Sequence, residues 1–194
     1  MYQLKKQKDE TMKIVTKQII ILTTFLLVCK TSLFAQEDNK LNFIGLNPSV
    51  TVEPFYDKGE LDINIFPLVY QRTLTKRLDI RFSSILNLGI RNSGNEISHF
   101  GFETALPLFF KQKETKNEIS KGFFVAPILS VTRNRIEEHN NLGLWIEPGY
   151  NLLFDNNYAM TFGLQLGATY FNYDNGQTNW RNHFGIKIII GKWL

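Results

Sequence analysis

His99, His139, His183 and the single cysteine, Cys29, are the side chains of this 194-residue chain best suited to base, nucleophile or metal-ligand chemistry. Their surroundings assign them none. Ser98 stands beside His99, but neighbouring side chains on an extended strand point to opposite faces, which separates a nucleophile from its base. No HExxH, P-loop, GxSxG or EF-hand pattern occurs, and Asp174-Asn175-Gly176 has too few acids for calcium and reads as a tight turn. One cysteine excludes an internal disulfide and a Cys-rich zinc site. No catalytic, cofactor-binding or metal residue is therefore assigned, and no enzyme is expected. The notable set is instead Asp62, Arg81, Glu103, Glu147 and Lys187, charges of both signs placed in the middle of otherwise apolar, alternating segments. They form a candidate ion-pair network.

The segments that must position them alternate with period two and show no helical period. Residues 158–170 put Tyr, Met, Phe, Leu, Leu, Ala and Tyr on one face and Ala, Thr, Gly, Gln, Gly and Thr on the other. Similar alternation runs through 78–91 and 183–190. Turn-forming residues divide the chain into eight runs near 43–53, 60–73, 78–91, 96–110, 122–134, 142–154, 157–171 and 181–193. Pro48, Pro67, Pro107, Pro127 and Pro148 fall inside these runs, where a residue without an N–H predicts bulges or kinks. Eight long strands in series, joined by short turns, predict an all-β, eight-stranded antiparallel up-and-down barrel, because closure removes the edges an open sheet would expose.

Two such barrels turn their faces in opposite directions. A lipocalin-like barrel encloses an apolar ligand, whereas an outer-membrane barrel shows its apolar face to lipid and keeps a polar interior. The polar face here is small, with Gly89, Gly101, Gly143, Gly149, Gly163, Gly167 and Gly185, and carries the five charges. Small residues suit the cramped lumen of eight strands, and balanced charges there can pair across it. The transmembrane barrel is thus the first reading, with Tyr158, Tyr170, Trp180 and Trp193 near strand ends as interfacial aromatics. His99 and His183 read as lumen or interface residues. The network reads as a structural plug in preference to an ion-selective gate, since eight strands leave no aqueous channel.

The formal net charge of +4 first suggests a nucleic-acid partner. Residues 1–35, however, have the form of a secretory signal peptide: Lys13 and Lys17, the uncharged run Ile19 to Val28, and a small Ala35 before Gln36. Ten apolar residues are too few for a comfortable helical span. Removing this segment leaves sixteen basic and sixteen acidic residues, so no nucleic-acid partner is expected. Met12 opens a more conventional signal than Met1, which makes 1–11 a candidate mis-assigned start. The alternative for Cys29, a lipobox with Leu26-Leu27-Val28 before it, is weakened by bulky Val28 where that motif takes a small residue. Residues 36–42 form a short polar segment and 43–194 the barrel.

The Leu-Phe-Ala-Gln ending at 33–36 resembles signal-peptide ends of Bacteroidota exported proteins, and the mature chain resembles small outer-membrane barrels of the OmpA/OmpX type. His183, Gly185, Ile188 and Ile190 are similar to the C-terminal signal read by the barrel-assembly machinery, although the chain continues through Gly191-Lys192-Trp193-Leu194. The resemblance implies an outer-membrane location, lipid, assembly-machinery and periplasmic-chaperone partners, a monomer, and no cofactor. It implies a structural or surface-interaction role, with turns near 54–59, 92–95, 135–141 and 172–180 outside and 74–77, 111–121 and 155–157 in the periplasm. Short outer turns disfavour a large receptor. The alternatives are a periplasmic lipocalin-like barrel and a lipid-modifying barrel enzyme, although the His-x-Ser pair of a lipid A deacylase is absent.

Overall fold

The structure, a computed structural model, describes residues 41–51, 57–115 and 118–194. The signal-peptide segment, Cys29 and most of the polar segment lie outside the described residues. From residue 41 onward the alternating segments form strands β1 (Asn42–Leu46), β2 (Val50–Thr51), β3 (Leu61–Asn64), β4 (Leu68–Thr73), β5 (Asp79–Ile90) and β6 (Glu96–Ala105). They continue with β7 (Leu108–Phe109), β8 (Gly122–Asn134), β9 (His139–Leu153), β10 (Tyr158–Tyr173) and β11 (Thr178–Trp193). These segments make an eight-stranded antiparallel barrel, since β2, β3 and β7 are continuations of β1, β4 and β6 beyond local breaks. Each strand pairs with the next, and β1 closes on β11 with Phe43 opposite Trp193 and Leu46 opposite Ile190.

The prolines explain where the ladder breaks. Pro48, Pro67 and Pro107 occupy the gaps between β1 and β2, β3 and β4, and β6 and β7. Pro127 and Pro148 lie within continuous β8 and β9, so these strands are not kinked apart at proline. Pro127 faces the break beside Pro107, where its carbonyl accepts from the Leu106 N–H at 3.1 Å. Pro148 sits where the β9–β10 pairing skips from Gly149 to Ile146. A missing donor is tolerated where the neighbouring ladder is already interrupted.

Two hairpins differ in length from the sequence reading. β9 begins at His139, while β10 and β11 extend to Tyr173 and Thr178, leaving turns of 135–138 and 174–177. Asn140, Asn141 and Asn172, read as turn residues, stay in the ladder because their backbones pair across strands regardless of side chain. Left-handed backbone in the turns falls on Gly176 at φ 83°, on Asn156 and Asn157 at 58° and 65°, and on Glu138 at 53°.

Sequence alternation becomes an inside and an outside. The outward faces carry large exposed apolar side chains on every stave, among them Ile44, Tyr70, Phe82, Phe102, Leu129, Leu144, Leu164 and Ile186. Inside, the end that holds the strand termini Phe43 and Trp193 is filled by two apolar clusters. One joins Phe43, Val69, Ala159, Ile189 and Trp193; the other joins Ala105, Phe109, Phe124, Ala126 and Ile128. Trp193 is thus buried in the lumen against Phe43, with ring centroids 5.4 Å apart, and is not an exposed end-of-strand aromatic. Its place in the inward alternation of β11 decides this. Tyr158, Tyr170 and Trp180 do face outward, Tyr170 and Trp180 as paired rings near the opposite end.

Candidate functional site

Above the apolar clusters the lumen holds a layer of charge. Arg81 on β5 donates to Glu147 on β9 at 2.6 Å, and both side chains are withdrawn from solvent. Lys187 on β11 is ion-paired with Glu103 on β6 and stands 3.8 Å from Glu147. Gln165 on β10 donates to Glu103 at 3.1 Å and to Glu147 at 3.3 Å, joining the two pairs. Two cations and two carboxylates thus cancel in a closed set. Charges removed from water are tolerated only when paired and hydrogen-bonded, and here each carboxylate has more than one partner. The Arg81 guanidinium also lies 6.0 Å from the centroid of Phe124, which seats the charge layer on the aromatic cluster below it.

Glycine makes the room. A Cβ on Gly163 would lie 2.6 Å from Glu147 Cδ, so the Glu147 side chain crosses the wall of β10 only because position 163 has none. The small residues of the polar face are spaces for the large ones.

Four of the five singled-out charges therefore meet, and Asp62 does not join them. Asp62 pairs opposite Gly89, toward the other end of the barrel, where it takes Arg91 at 2.8 Å and His99 at 3.2 Å. The register shift at Asn87/Leu88 makes an irregularity in β6 that turns Ser98 inward together with His99, with Nδ1 3.3 Å from Ser98 Oγ. The expectation of opposite faces fails here because an extra residue breaks alternation. The resulting Asp–His–Ser group is no proton relay. Both partners approach the same imidazole nitrogen, whereas a base-activated serine needs one on each.

His183 faces the lumen, where its Nε2 lies 3.3 Å from Gln165 Oε1 and its ring stacks on Trp145 at 3.7 Å and 10°. Both residues are paired with Gly167 between them, so the two rings meet over a position without a side chain. Gly185 shares the inner face, while Ile188 and Ile190 are exposed on the outer one. His139 is buried near the far end between Phe171 and Tyr173, within 3.0 Å of Glu137 and 2.5 Å of Asn141. Among the described residues, no group of three or more His, Cys, Asp or Glu could hold a metal ion.

Sequence reasoning left out Gln165, Trp145, Arg91 and a further buried pair, Asp79 with Lys113 at 3.6 Å. Gln165 sat on the polar face, and its central role depends on which strands close around it. Lys113 lies in the charged segment after β7, where burial pushes its ammonium below the ordinary lysine range and nearby Asp79 partly offsets this. Between the charge layer and the far end lies a cavity of about 730 Å³, bounded by Glu103, Gln165 and Lys187 at one level and Glu137, His139 and Arg181 at the other. Arg181 is exposed, so the cavity reaches solvent there.

The fold and this lumen define a closed eight-stranded antiparallel β-barrel with a self-neutralising charged interior. Compared with protein-family models, with curated proteins and with solved structures, the chain matches none.

Proposed function

We propose that this chain is an exported outer-membrane barrel of the OmpA/OmpX type, monomeric, with a structural or surface-interaction role and no reaction chemistry of its own. One observation carries the reading: large apolar side chains stay exposed around the whole closed barrel while Asp62, Arg81, Glu103, Glu147 and Lys187 are buried inside. Phe102 is 54%, Leu144 51% and Ile186 73% exposed. A water-soluble protein rarely leaves so continuous an apolar surface uncovered, whereas lipid covers it without cost. Lys192 above the Tyr158 ring at one end and the Tyr170–Trp180 pair at the other fit the two interfaces of such a membrane. The lipocalin-like alternative requires an apolar interior around its ligand, and the cavity wall here is rich in amides and hydroxyls.

On this reading the signal peptide directs export, periplasmic chaperones and the barrel-assembly machinery deliver the chain, and outer-membrane lipid is its solvent. Cell fractionation tests it, combined with boiled and unboiled samples on a denaturing gel. Outer-membrane recovery with heat-dependent mobility is the expected result, and a freely soluble periplasmic protein would overturn it. Comparing lipid A masses between deletion and parent strains tests the enzyme alternative.

A further inference from the structure

The rim at the end of the barrel that holds Phe43 and Trp193 carries cations that the protein does not neutralise. The turn between β4 and β5 brings Lys76 and Arg77, and the segment between β7 and β8 brings Lys111 and Lys121; all four are exposed. Backbone hydrogen bonds fasten these pieces together. The Phe109 N–H donates to the Arg77 carbonyl at 2.8 Å, the Lys113 N–H to the Lys76 carbonyl at 3.1 Å, and the Phe110 N–H to the Phe123 carbonyl at 3.0 Å. The four cations are thereby gathered on one side of the rim, over neighbouring staves.

Nearby acids do not answer them. Asp79 is buried and taken by Lys113. Glu118 accepts from the Glu114 N–H at 3.1 Å, and the Lys76 ammonium donates to the Glu114 backbone carbonyl at 2.6 Å. Among the described residues, Lys76, Arg77, Lys111 and Lys121 form no ion pair. The opposite rim is built differently, since there Arg91 meets Asp62 and Glu60, and Arg133 meets Asp174.

The same segments border the outer apolar face. Phe110, next to Lys111, is 64% exposed, and Phe123, two positions after Lys121, is 65% exposed. On the outer-membrane reading this border lies in hydrocarbon. The cations one step beyond it then stand at headgroup level, where long Lys and Arg stems carry charge to the boundary.

We propose that this patch is a docking surface for anionic phospholipid. Its headgroup phosphate meets Lys76, Arg77, Lys111 and Lys121, and its acyl chains lie against Phe110 and Phe123. A zwitterionic headgroup brings its own cation and gains less from the patch. A free phosphate would gain the charge but leave both phenylalanines uncovered.

The test is tryptophan quenching of the folded full chain in phosphatidylcholine vesicles, with Phe110→Trp as reporter in a Trp180→Phe background. Trp145 and Trp193 face the lumen, so the added indole is the one that meets lipid. Brominated phosphatidylglycerol should half-quench it at a mole fraction about fivefold lower than brominated phosphatidylcholine. The preference should vanish when Lys76, Arg77, Lys111 and Lys121 are all replaced by Gln, and in about 1 M salt, where screening acts within roughly 3 Å. Gel mobility of unboiled samples establishes folding; if the fourfold variant does not fold, Lys111→Gln with Lys121→Gln replaces it and should weaken the preference. Equal quenching by the two lipids, or an undiminished preference in a folded variant, overturns the proposal. So does inorganic phosphate that abolishes the preference beyond chloride of equal ionic strength, which would mark a site for the free anion. The proposal rests on the outer-membrane reading, and the two fail differently. A chain that does not enter vesicles overturns both, whereas one that enters and shows no preference overturns this inference alone.

Discussion

Arg81 and Glu147, 66 positions apart in sequence, are held 2.6 Å apart inside the lumen with 1% and 0% of their side-chain surfaces exposed. Removing Glu147 leaves Arg81 as an uncompensated buried charge, which costs about 3–5 kcal/mol. Glu147→Ala should destabilise the detergent-folded barrel by that order, seen as a lower urea midpoint, and Arg81→Ala should do so by less, because Glu147 keeps Lys187 and Gln165. Glu103→Ala should cost less, because Lys187 keeps Glu147 within 3.8 Å. Unchanged midpoints in Arg81→Ala and Glu147→Ala would mean that the pair contributes nothing to the fold.

Gly163 extends this reasoning to a neutral residue. Its substitution by Val would place a branched side chain where Glu147 Cδ now lies, 2.6 Å from the first added carbon. Glu147 must then leave Arg81 or the strand must shift. Gly163→Val should therefore approach the loss seen in Glu147→Ala, and the double variant should lose less than the sum of the two. Full additivity in urea unfolding would show that the glycine acts independently of the carboxylate.

The layer that Arg81 and Glu147 help to build was legible in outline, and its depth was not. Period-two alternation placed Arg81, Glu103, Glu147 and Lys187 on one face of their strands, and closure turned that face inward. Asp62 has the same alternation, yet it pairs opposite Gly89 at one end of β5 while Arg81 lies near the other. Height within a barrel depends on strand stagger, a relation between strands that no single strand's pattern records. Ser98 was misplaced for a related reason. The irregularity beside it is set by the pairing of β5 with β6, and on β6 Ile97, Ser98 and His99 carry no glycine or proline to announce it. Gln165 was visible as polar, but its bond to two carboxylates from β6 and β9 exists only once the barrel has closed.

Conduction follows from the same layering. Below the charge layer, Phe109 and Phe124 pack with centroids 5.4 Å apart, and Phe43 and Trp193 fill the end of the lumen. The cavity is a cup with a packed floor. In planar lipid bilayers the protein should give no steady open-channel current, and a stable conductance that scales with salt would require a path through this packing.

A tie between two turns makes a pH prediction. Arg133 grips Asp174 with two contacts of 2.6 Å, and the Asp174 N–H donates to the Glu138 carbonyl at 3.0 Å. The Arg133 fork holds the Asp174 carboxyl below the ordinary carboxylate range. A depressed carboxylate contributes fully above its ordinary pKa, and that contribution is lost as pH falls through the lower folded value. Amide exchange in 135–138 and 174–177, corrected for intrinsic rates, should therefore rise in strong acid. Asp174→Asn should show the looser turns already at neutral pH, with little further acid response. An identical acid response in Asp174→Asn would place its cause elsewhere.

The outer face offers the sharpest contrast between lipid and water. Ile186 is 73% exposed on β11 between outward-facing Phe184 and Ile188, at mid-strand. An arginine there would meet hydrocarbon if the belt lies in a bilayer, at a cost of about 2–4 kcal/mol, and would be solvated freely if the belt faced water. Ile186→Arg should therefore reduce the fraction of chain that folds into phospholipid vesicles, scored by unboiled gel mobility. Asn182→Arg, closer to the rim of the same strand, should cost about 0–1 kcal/mol, because the membrane penalty falls away near the interface. A barrel that accepts Ile186→Arg without loss, and stays folded in buffer free of lipid and detergent, would be a soluble one.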